Sequence, residues 1–132
     1  MTNNTHSGAP DTAIVLFAHG SRDPLWHKPI QAVADFISAT SKDSLVTCAY
    51  LELSQPDLLL ASQQLIDAGV KSISVVPVFL GVGRHAREDL PLLVDQLKTQ
   101  YPLVTFSLQQ AVGEDQRLIE LMGKIALEGV SK

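Results

Sequence analysis

His19, Glu52 and His85 each come at or soon after the end of an apolar segment of the chain. Two imidazoles and a carboxylate form a ligand set that suits a borderline divalent ion such as Co²⁺, Ni²⁺, Fe²⁺ or Zn²⁺. Imidazole also exchanges protons near neutral pH, so the same residues suit acid–base chemistry. Because His19 and His85 are far apart in the sequence, they can share an ion only if the fold brings them together.

Each of these residues also has a structural interpretation, which the residue type alone leaves open. His19 can cap a strand end through a hydrogen bond to the backbone, Glu52 can be a polar strand terminus, and His85 can be a solvated residue of a glycine-rich loop. Two other reactive side chains are better explained by structure than by chemistry. His27 is expected to be a packed or exposed helix histidine, and Cys48 a small buried apolar residue.

Positive charge gathers around the two histidine segments, although the chain is acidic overall. Ten Lys and Arg against fourteen Asp and Glu give a net charge of -4, which argues against nucleic-acid binding. Four basic residues nevertheless lie in or near these segments: Arg22, Lys28, Arg84 and Arg87. Such a cluster suits a carboxylated or phosphorylated small molecule, unless the arginines are only solvated loop charges. The candidate substrate-binding residues are Ser21, Arg22, Arg84 and Arg87.

Two local motifs offer competing functions. Residues 81–86 match the G-x-G-x-x-A pattern of dinucleotide-binding turns. That pattern also requires an acidic residue about twenty positions later, and residues 105–110 contain none, so we reject it. The pair His19-Gly20 is similar to the start of the phosphohistidine enzymes, but Ala18 stands where those enzymes carry an arginine.

Four apolar segments alternate with amphipathic ones, which predicts an α/β three-layer sandwich with a parallel sheet. Strands are expected at residues 13–18, 45–51, 72–79 and 103–108. Helices are expected from residue 24 to about 40, from Asp57 to Gly69, from Asp89 to a point before Pro102, and over residues 115–127. The last helix should bury Leu118, Ile119, Met122 and Ile125. A flavodoxin-like strand order of 2-1-3-4 would make the ends of strands 1, 2 and 3 neighbours, and ligands bind at such ends.

Length and composition indicate one globular domain. The chain has 132 residues, 45% of them hydrophobic and 18% charged. We expect a flexible tail over residues 1–12 and a single domain over residues 13–132. The longest apolar run is far shorter than the roughly 20 residues that span a bilayer, and residues 1–12 lack a signal-peptide pattern. We therefore expect a cytoplasmic protein that binds neither membrane nor nucleic acid, and the one cysteine excludes an internal disulfide.

Three segments together carry a family resemblance. Residues 18–24 read AHGSRDP, residues 49–53 read AYLEL with Pro56 following, and residues 76–91 read VPVFLGVGRHAREDLP. In this order they resemble the class II tetrapyrrole chelatases, in particular the short, single-domain sirohydrochlorin cobaltochelatase group. The resemblance covers nearly all of residues 13–127, and its third segment is the most specific.

The resemblance implies a chelatase-like fold and the insertion of a divalent metal, usually cobalt, into sirohydrochlorin for cobalamin-type biosynthesis. It implies a homodimer without an organic cofactor, with His19 and His85 as metal-site and catalytic residues and Glu52 as a catalytic residue. Nickel-inserting relatives often carry a histidine-rich loop, which this chain lacks. The physiological metal stays open among cobalt, iron and nickel. Two alternatives also remain: a sirohydrochlorin ferrochelatase of siroheme synthesis, and a carrier that delivers a metal or tetrapyrrole without turnover.

Overall fold

The computed structural model of the chain describes residues 10–130, and a sheet of four parallel strands forms its centre. The strands are β1 (Thr12–Ala18), β2 (Ser44–Tyr50), β3 (Ser72–Pro77) and β4 (Thr105–Leu108). They pair in the order β2-β1-β3-β4, which confirms the predicted order 2-1-3-4. All three pairings are parallel, so the carboxyl ends of β1, β2 and β3 meet at one edge of the sheet.

Helices cover both faces of the sheet. They are α1 (Lys28–Thr40), α2 (Leu58–Asp67), α3 (Arg84–Gln100) and α4 (Gln116–Glu128), with short 3-10 turns at Pro24–His27 and Val112–Glu114. Buried residues of α2 and α3, among them Leu58 and Leu97, share one core cluster with the strands. Ile30 of α1 belongs to a second cluster on the opposite face, with Leu16 and Tyr50. The three-layer α/β sandwich is therefore confirmed. No helix within residues 10–130 is long and apolar enough to cross a membrane.

The first strand begins at Thr12, one residue before the predicted start. The carbonyl of Asp11 accepts hydrogen bonds from the backbone N–H groups of Lys71, at 2.7 Å, and Ser72, at 3.1 Å. The predicted tail over residues 1–12 therefore extends too far, because the β1–β3 ladder already includes its last residue. Residues 1–9 of that tail, and residues 131–132, lie outside the described part of the chain.

Helix α3 begins earlier than the sequence suggested. Gly83 is its N-terminal cap, so the predicted capping residue Asp89 lies inside the helix, as does Pro91. The helix extends this far because its buried stripe begins at Ala86, one turn before Leu90. As a result, His85 lies on the first turn of a helix and not in a glycine-rich loop.

Helix α4 forms where it was predicted but does not bury the predicted side chains. Asp115 caps it by accepting a hydrogen bond from the N–H of Arg117, at 2.8 Å. None of its residues is buried, and Ile119 and Ile125 are 44% and 58% exposed. Periodicity specifies an apolar stripe, but it does not specify which surface covers that stripe.

An apolar groove also lies open beside α1. It has a volume of about 360 Å³ and is lined by Ala18, Trp26, Pro29, Ile30, Val33 and Val78. Phe36 of α1 is a further exposed apolar residue, at 69%. The described chain thus leaves an amphipathic helix and an apolar groove uncovered.

Candidate functional site

The carboxyl ends of β1 and β2 bring His19 and Glu52 into direct contact. Nε2 of His19 lies 2.9 Å from Oε2 of Glu52. The carboxylate can only accept a hydrogen bond, so the imidazole N–H donates it. Both side chains are more than half exposed, at 56% and 53%. The pair is therefore accessible to a ligand from solvent, at the sheet edge where the sequence predicted a site.

Backbone pairing beyond the two strands sets this contact. The N–H of Leu51 donates to the carbonyl of Ala18 at 2.9 Å, and the N–H of Glu52 donates to the carbonyl of His19 at 3.0 Å. These bonds continue the parallel pairing of β1 and β2 past their last residues. An exposed ion pair contributes only about 0–1 kcal/mol, so the side chains do not determine this arrangement alone. The backbone determines it.

Gly20 makes the close approach of the two segments possible. Its φ is +103°, a conformation that L side chains rarely adopt. A Cβ atom at this position would lie 1.8 Å from the carbonyl oxygen of Glu52. A glycine is required here for both reasons.

Leu53 turns the chain directly after Glu52. Its φ of 64° places a non-glycine residue in the left-handed region, which costs of order 1–3 kcal/mol. The exposed side chains of Leu51 and Leu53 flank the carboxylate. Backbone strain thus occurs one residue after Glu52, which contacts His19, and strain of this kind is common near functional sites.

The segment that leads to His85 leaves the sheet at the same edge. The N–H of Val78 donates to the carbonyl of Phe17 at 2.7 Å, which continues the pairing of β3 with β1. Gly113 packs against the backbone of Leu80, so closely that a Cβ atom would lie 1.8 Å from its carbonyl oxygen. The turn Val112–Glu114 therefore supports the segment that precedes α3.

His85 itself is exposed and does not join the pair in this structure. Within residues 10–130, no group of three or more His, Cys, Asp or Glu side chains is arranged to hold a metal ion. The structure thus brings His19 and Glu52 together and leaves His85 apart from them. That His85 shares an ion with His19 stays a prediction.

The predicted substrate-binding residues lie around different parts of this edge. Arg22 borders a cavity of about 520 Å³ that Glu52 also lines. Arg87 donates to the carbonyl of Val82 at 3.2 Å and borders a separate cavity of about 190 Å³. Arg84 approaches Glu88 at 3.4 Å, in an exposed pair. Of the three arginines, Arg22 therefore has the most direct relation to the histidine–carboxylate pair.

Ser21 has a role that the sequence did not reveal. Its backbone N–H donates to Oγ of Ser54 at 3.1 Å, and its own Oγ accepts from the N–H of Asp23 at 3.0 Å. The bond to Ser54 ties the segment after β1 to the segment after β2, and the bond from Asp23 lies within the segment after β1. A substrate contact at Ser21 stays a prediction.

His27 contributes to the same connection, which sequence reasoning missed. Its Nε2 lies 2.8 Å from the carbonyl oxygen of Ser21, and its Nδ1 lies 3.2 Å from Oη of Tyr50. Burial raises the pKa of Tyr50 to about 12, with a smaller contribution from Cys48, so the phenol keeps its proton. Helical periodicity could not identify His27, because its partners lie on other segments.

The chain is a small α/β domain with a four-stranded parallel sheet. Its imidazole–carboxylate pair lies at the carboxyl ends of the strands, where domains of this class bind ligands. The chain belongs to the CbiX family, whose model matches residues 13–128. This match confirms the family resemblance that the sequence motifs indicated.

Individual relatives agree with this assignment. The sirohydrochlorin cobaltochelatase of Methanopyrus kandleri is 33% identical over 82 residues, which are 62% of this chain and 57% of that protein. The match thus spans little more than half of the relative's length. A CbiX protein of Marinobacter aquaeolei VT8, named for cobalamin (vitamin B12) biosynthesis, has a similar crystal structure. Its TM-score is 0.76 at 30% identity, over 90% of this chain and 97% of that chain.

A longer protein shares the fold. SirB from Bacillus subtilis subspecies spizizenii, a sirohydrochlorin chelatase solved in complex with cobalt, matches with a TM-score of 0.75. The identity is 23%, which shows the fold alone. The match covers 89% of this chain but only 50% of SirB. This chain therefore corresponds to about half of that protein.

The requirement for glycine at position 20 can be tested by substitution. Gly20→Ala should lower the free energy of unfolding by at least about 1–2 kcal/mol, because the alanine must adopt a left-handed φ and also meets the Glu52 carbonyl. Gly81→Ala is the matched control, since no atom lies within 4 Å of a Cβ there, and it should change stability by less than about 0.5 kcal/mol. Urea denaturation measures both. Equal effects would contradict the account.

Proposed function

We propose that this chain is a sirohydrochlorin cobaltochelatase, which inserts a divalent metal, with cobalt preferred, into sirohydrochlorin. The observation that carries the proposal is the exposed His19–Glu52 pair at the ligand-binding edge of a CbiX-family domain. The name of the Methanopyrus kandleri relative supports the substrate, and the cobalt complex of SirB supports the metal. In this proposal the metal ion is a substrate, and no organic cofactor takes part.

The chemistry requires groups that accept protons and hold a metal briefly. Entry of M²⁺ into the macrocycle displaces two pyrrole N–H protons. In the structure, Nε2–H of His19 donates to Glu52, so the Nδ1 lone pair of the ring faces no such partner. We propose that the Nδ1 lone pair of His19 first binds the metal and later accepts a proton that leaves the macrocycle. Glu52 orients the imidazole, stabilises its protonated form and accepts the second proton.

An incomplete ligand set suits this reaction. A structural metal site is closed by four protein ligands, whereas a site that must release its ion benefits from open positions. The pair of His19 and Glu52 leaves such positions, and we assign His85, exposed on the first turn of α3, as the second imidazole. Water ligands of the ion are replaced as the macrocycle nitrogens bind.

The carboxylates of sirohydrochlorin require basic partners. Arg22 lies on the cavity that contains Glu52, and we assign it the main contact with a substrate carboxylate. Arg84, Arg87 and the Ser21 hydroxyl complete the proposed substrate-binding set. The single cysteine, Cys48, is partly buried in β2 and suits a reducing compartment, so we place the protein in the cytoplasm.

The proposed reaction is tested by the turnover of histidine variants. An anaerobic absorbance assay with sirohydrochlorin and Co²⁺, Fe²⁺ or Ni²⁺ should show many equivalents metallated per chain, fastest with Co²⁺. His19→Ala and His85→Ala should each lower the rate at least about 10²-fold, because each removes a metal ligand or proton acceptor. His6→Ala, outside the residues that the family matches, is the control and should keep the rate.

Other outcomes of this assay would identify the rival functions. Faster insertion of Fe²⁺ would assign the chain to siroheme synthesis. Stoichiometric binding without turnover would indicate a carrier. Full activity in both histidine variants would contradict the assigned site.

The role of Arg22 predicts a graded effect on substrate affinity. Arg22→Ala should weaken sirohydrochlorin binding more than Arg84→Ala, because only Arg22 borders the cavity of Glu52, whereas Arg84 approaches Glu88. Loss of a charge-assisted hydrogen bond corresponds to about 1.5–3 kcal/mol, or roughly 10-fold to 150-fold in affinity. Lys98→Ala, at the far end of α3, is the control. Fluorescence titration measures the three affinities, and no change in any arginine variant would refute the assignment.

We also propose that the chain acts as a homodimer. The unburied stripe of α4 and the apolar groove beside α1 are complementary in character and belong to the same chain. In a two-fold dimer, the α4 stripe of each copy would cover the groove beside α1 of the other copy, so that both surfaces are buried in both copies. This chain matches half of the SirB chain, and a second copy would restore a protein of that length.

The dimer depends on the apolar stripe of α4. The wild-type protein should have a mass in solution of twice 14.3 kDa by light scattering. Ile125→Asp should shift it to the monomer, because the charge would be buried at the interface. Gln116→Asp introduces the same charge at an exposed polar position of α4 and should leave the dimer intact. A monomeric wild-type protein would contradict the proposal.

A further inference from the structure

His27 occupies a position from which it contacts both segments of the proposed site. It is the last residue of the turn Pro24–His27 and is partly buried. Its Nε2 lies 2.8 Å from the carbonyl oxygen of Ser21, in the segment after β1. Its Nδ1 lies 3.2 Å from Oη of Tyr50, the last residue of β2. One imidazole ring thus links the two segments that carry His19 and Glu52.

The partners determine where the proton of this ring lies. A carbonyl oxygen only accepts hydrogen bonds, so Nε2 of His27 carries the proton and donates to Ser21. In the neutral ring Nδ1 is then the acceptor, and the hydroxyl of Tyr50 donates to it. Both ring nitrogens are satisfied by one tautomer, which fixes the orientation of the ring.

Ser54 completes the connection from the segment after β2. Its Oγ donates to the carbonyl of Ser21 at 2.8 Å and accepts from the backbone N–H of the same residue at 3.1 Å. The Ser21 carbonyl therefore receives two donors, one from Ser54 and one from His27. This junction lies two residues beyond His19 on one segment and two residues beyond Glu52 on the other.

Aromatic contacts hold the ring of His27 in place. Its centroid lies 5.0 Å from that of Trp26, at an interplanar angle of 84°. The distance to the ring of Tyr50 is also 5.0 Å, at 79°. Edge-to-face contacts of this kind restrict ring rotation, so the hydrogen bonds to Ser21 and Tyr50 keep their direction.

We propose that His27 is a positioning residue that keeps His19 and Glu52 in contact by fixing the Ser21 carbonyl against Tyr50 and Ser54. The proposal rests on the function assigned to that pair. The pair itself is more than half exposed, and an exposed ion pair contributes little to its own geometry. The hydrogen bonds of His27 are partly buried and are therefore better protected from competing water than the exposed His19–Glu52 bond. His27 does not bind the metal, because both of its nitrogens already have protein partners.

The first experiment observes the pair without any substrate. Long-range proton–nitrogen NMR on the full-length protein reports the tautomer of each imidazole. His27 should show a proton on Nε2, and Tyr50→Phe should shift its Nδ1 signal. Glu52→Gln should shift the His19 signals less in His27→Ala than in the wild-type background, because the backbone bonds remain but the pair is less firmly held. Equal shifts in both backgrounds would overturn the proposal.

The second experiment measures metal use. His27→Ala should weaken the binding of Co²⁺ by up to about 10-fold, at the lower end of the range for residues bonded directly to a metal ligand, because His27 acts through Ser21, Ser54 and Tyr50. The KM for Co²⁺ should rise in the same proportion, while the KM for sirohydrochlorin stays unchanged. His27→Gln should recover part of the loss, because its carboxamide still offers one donor and one acceptor. Gln31→Ala, exposed on α1, is the control.

Further variants separate the possible outcomes. If His27→Ala fails to fold, Ser54→Ala and Tyr50→Phe each remove one bond of the network and should each weaken Co²⁺ binding by a smaller factor. Unchanged Co²⁺ affinity in folded His27→Ala, or in both of these variants, would overturn the positioning role. A wild-type protein that metallates no sirohydrochlorin would refute the proposed function, whereas the response of His19 to Glu52→Gln would still test the role of His27.

Discussion

The candidate site depends on one backbone interaction, the continued pairing of β1 and β2 beyond their last residues. The bond from the N–H of Glu52 to the carbonyl of His19 fixes the positions from which the two side chains start. It requires a residue without a Cβ at Gly20, since any other side chain would collide with the Glu52 carbonyl. Leu53, the next residue but one after Leu51, has a left-handed backbone, and the carboxylate of Glu52 between them is more than half exposed. The imidazole–carboxylate contact follows from these constraints.

An accessible pair of this kind is suited to a metal that passes through the protein. His19 and Glu52 supply two potential metal ligands. No third acidic, histidine or cysteine side chain within residues 10–130 completes the ligand set. Arg22 lies on the cavity that Glu52 also lines. Strong permanent binding would need a closed ligand shell, whereas transfer to a macrocycle needs ligands that can be exchanged. The two segments that carry the pair are connected by the hydrogen bonds of Ser21, His27 and Ser54.

Much of the fold could be predicted from the sequence, because strand burial and helical periodicity are local signals. The parallel sheet followed from the alternation of segments, and the strand order was expected by likeness to flavodoxin-like folds. The meeting of His19 with Glu52 followed from that order. The start of α3 was missed because Asp89 is a good capping residue, whereas the buried Ala86 extends the helix to Gly83. The exposure of the apolar stripe of α4 and the partners of His27 could not be predicted. Both depend on contacts between distant segments, or between chains, that periodicity does not encode.

The central proposal is that His19 and His85 share one metal ion, although no three His, Cys, Asp or Glu side chains within residues 10–130 are arranged to hold one. Titration of the protein with Co²⁺, followed by proton–nitrogen NMR of the imidazole side chains, tests it most directly, since the paramagnetic ion broadens the signals of its ligands. We expect the signals of His19 and His85 to disappear together at the same Co²⁺ concentration, while those of His27 remain visible. Loss of the His19 signals alone, with His85 unaffected up to saturation, would contradict it.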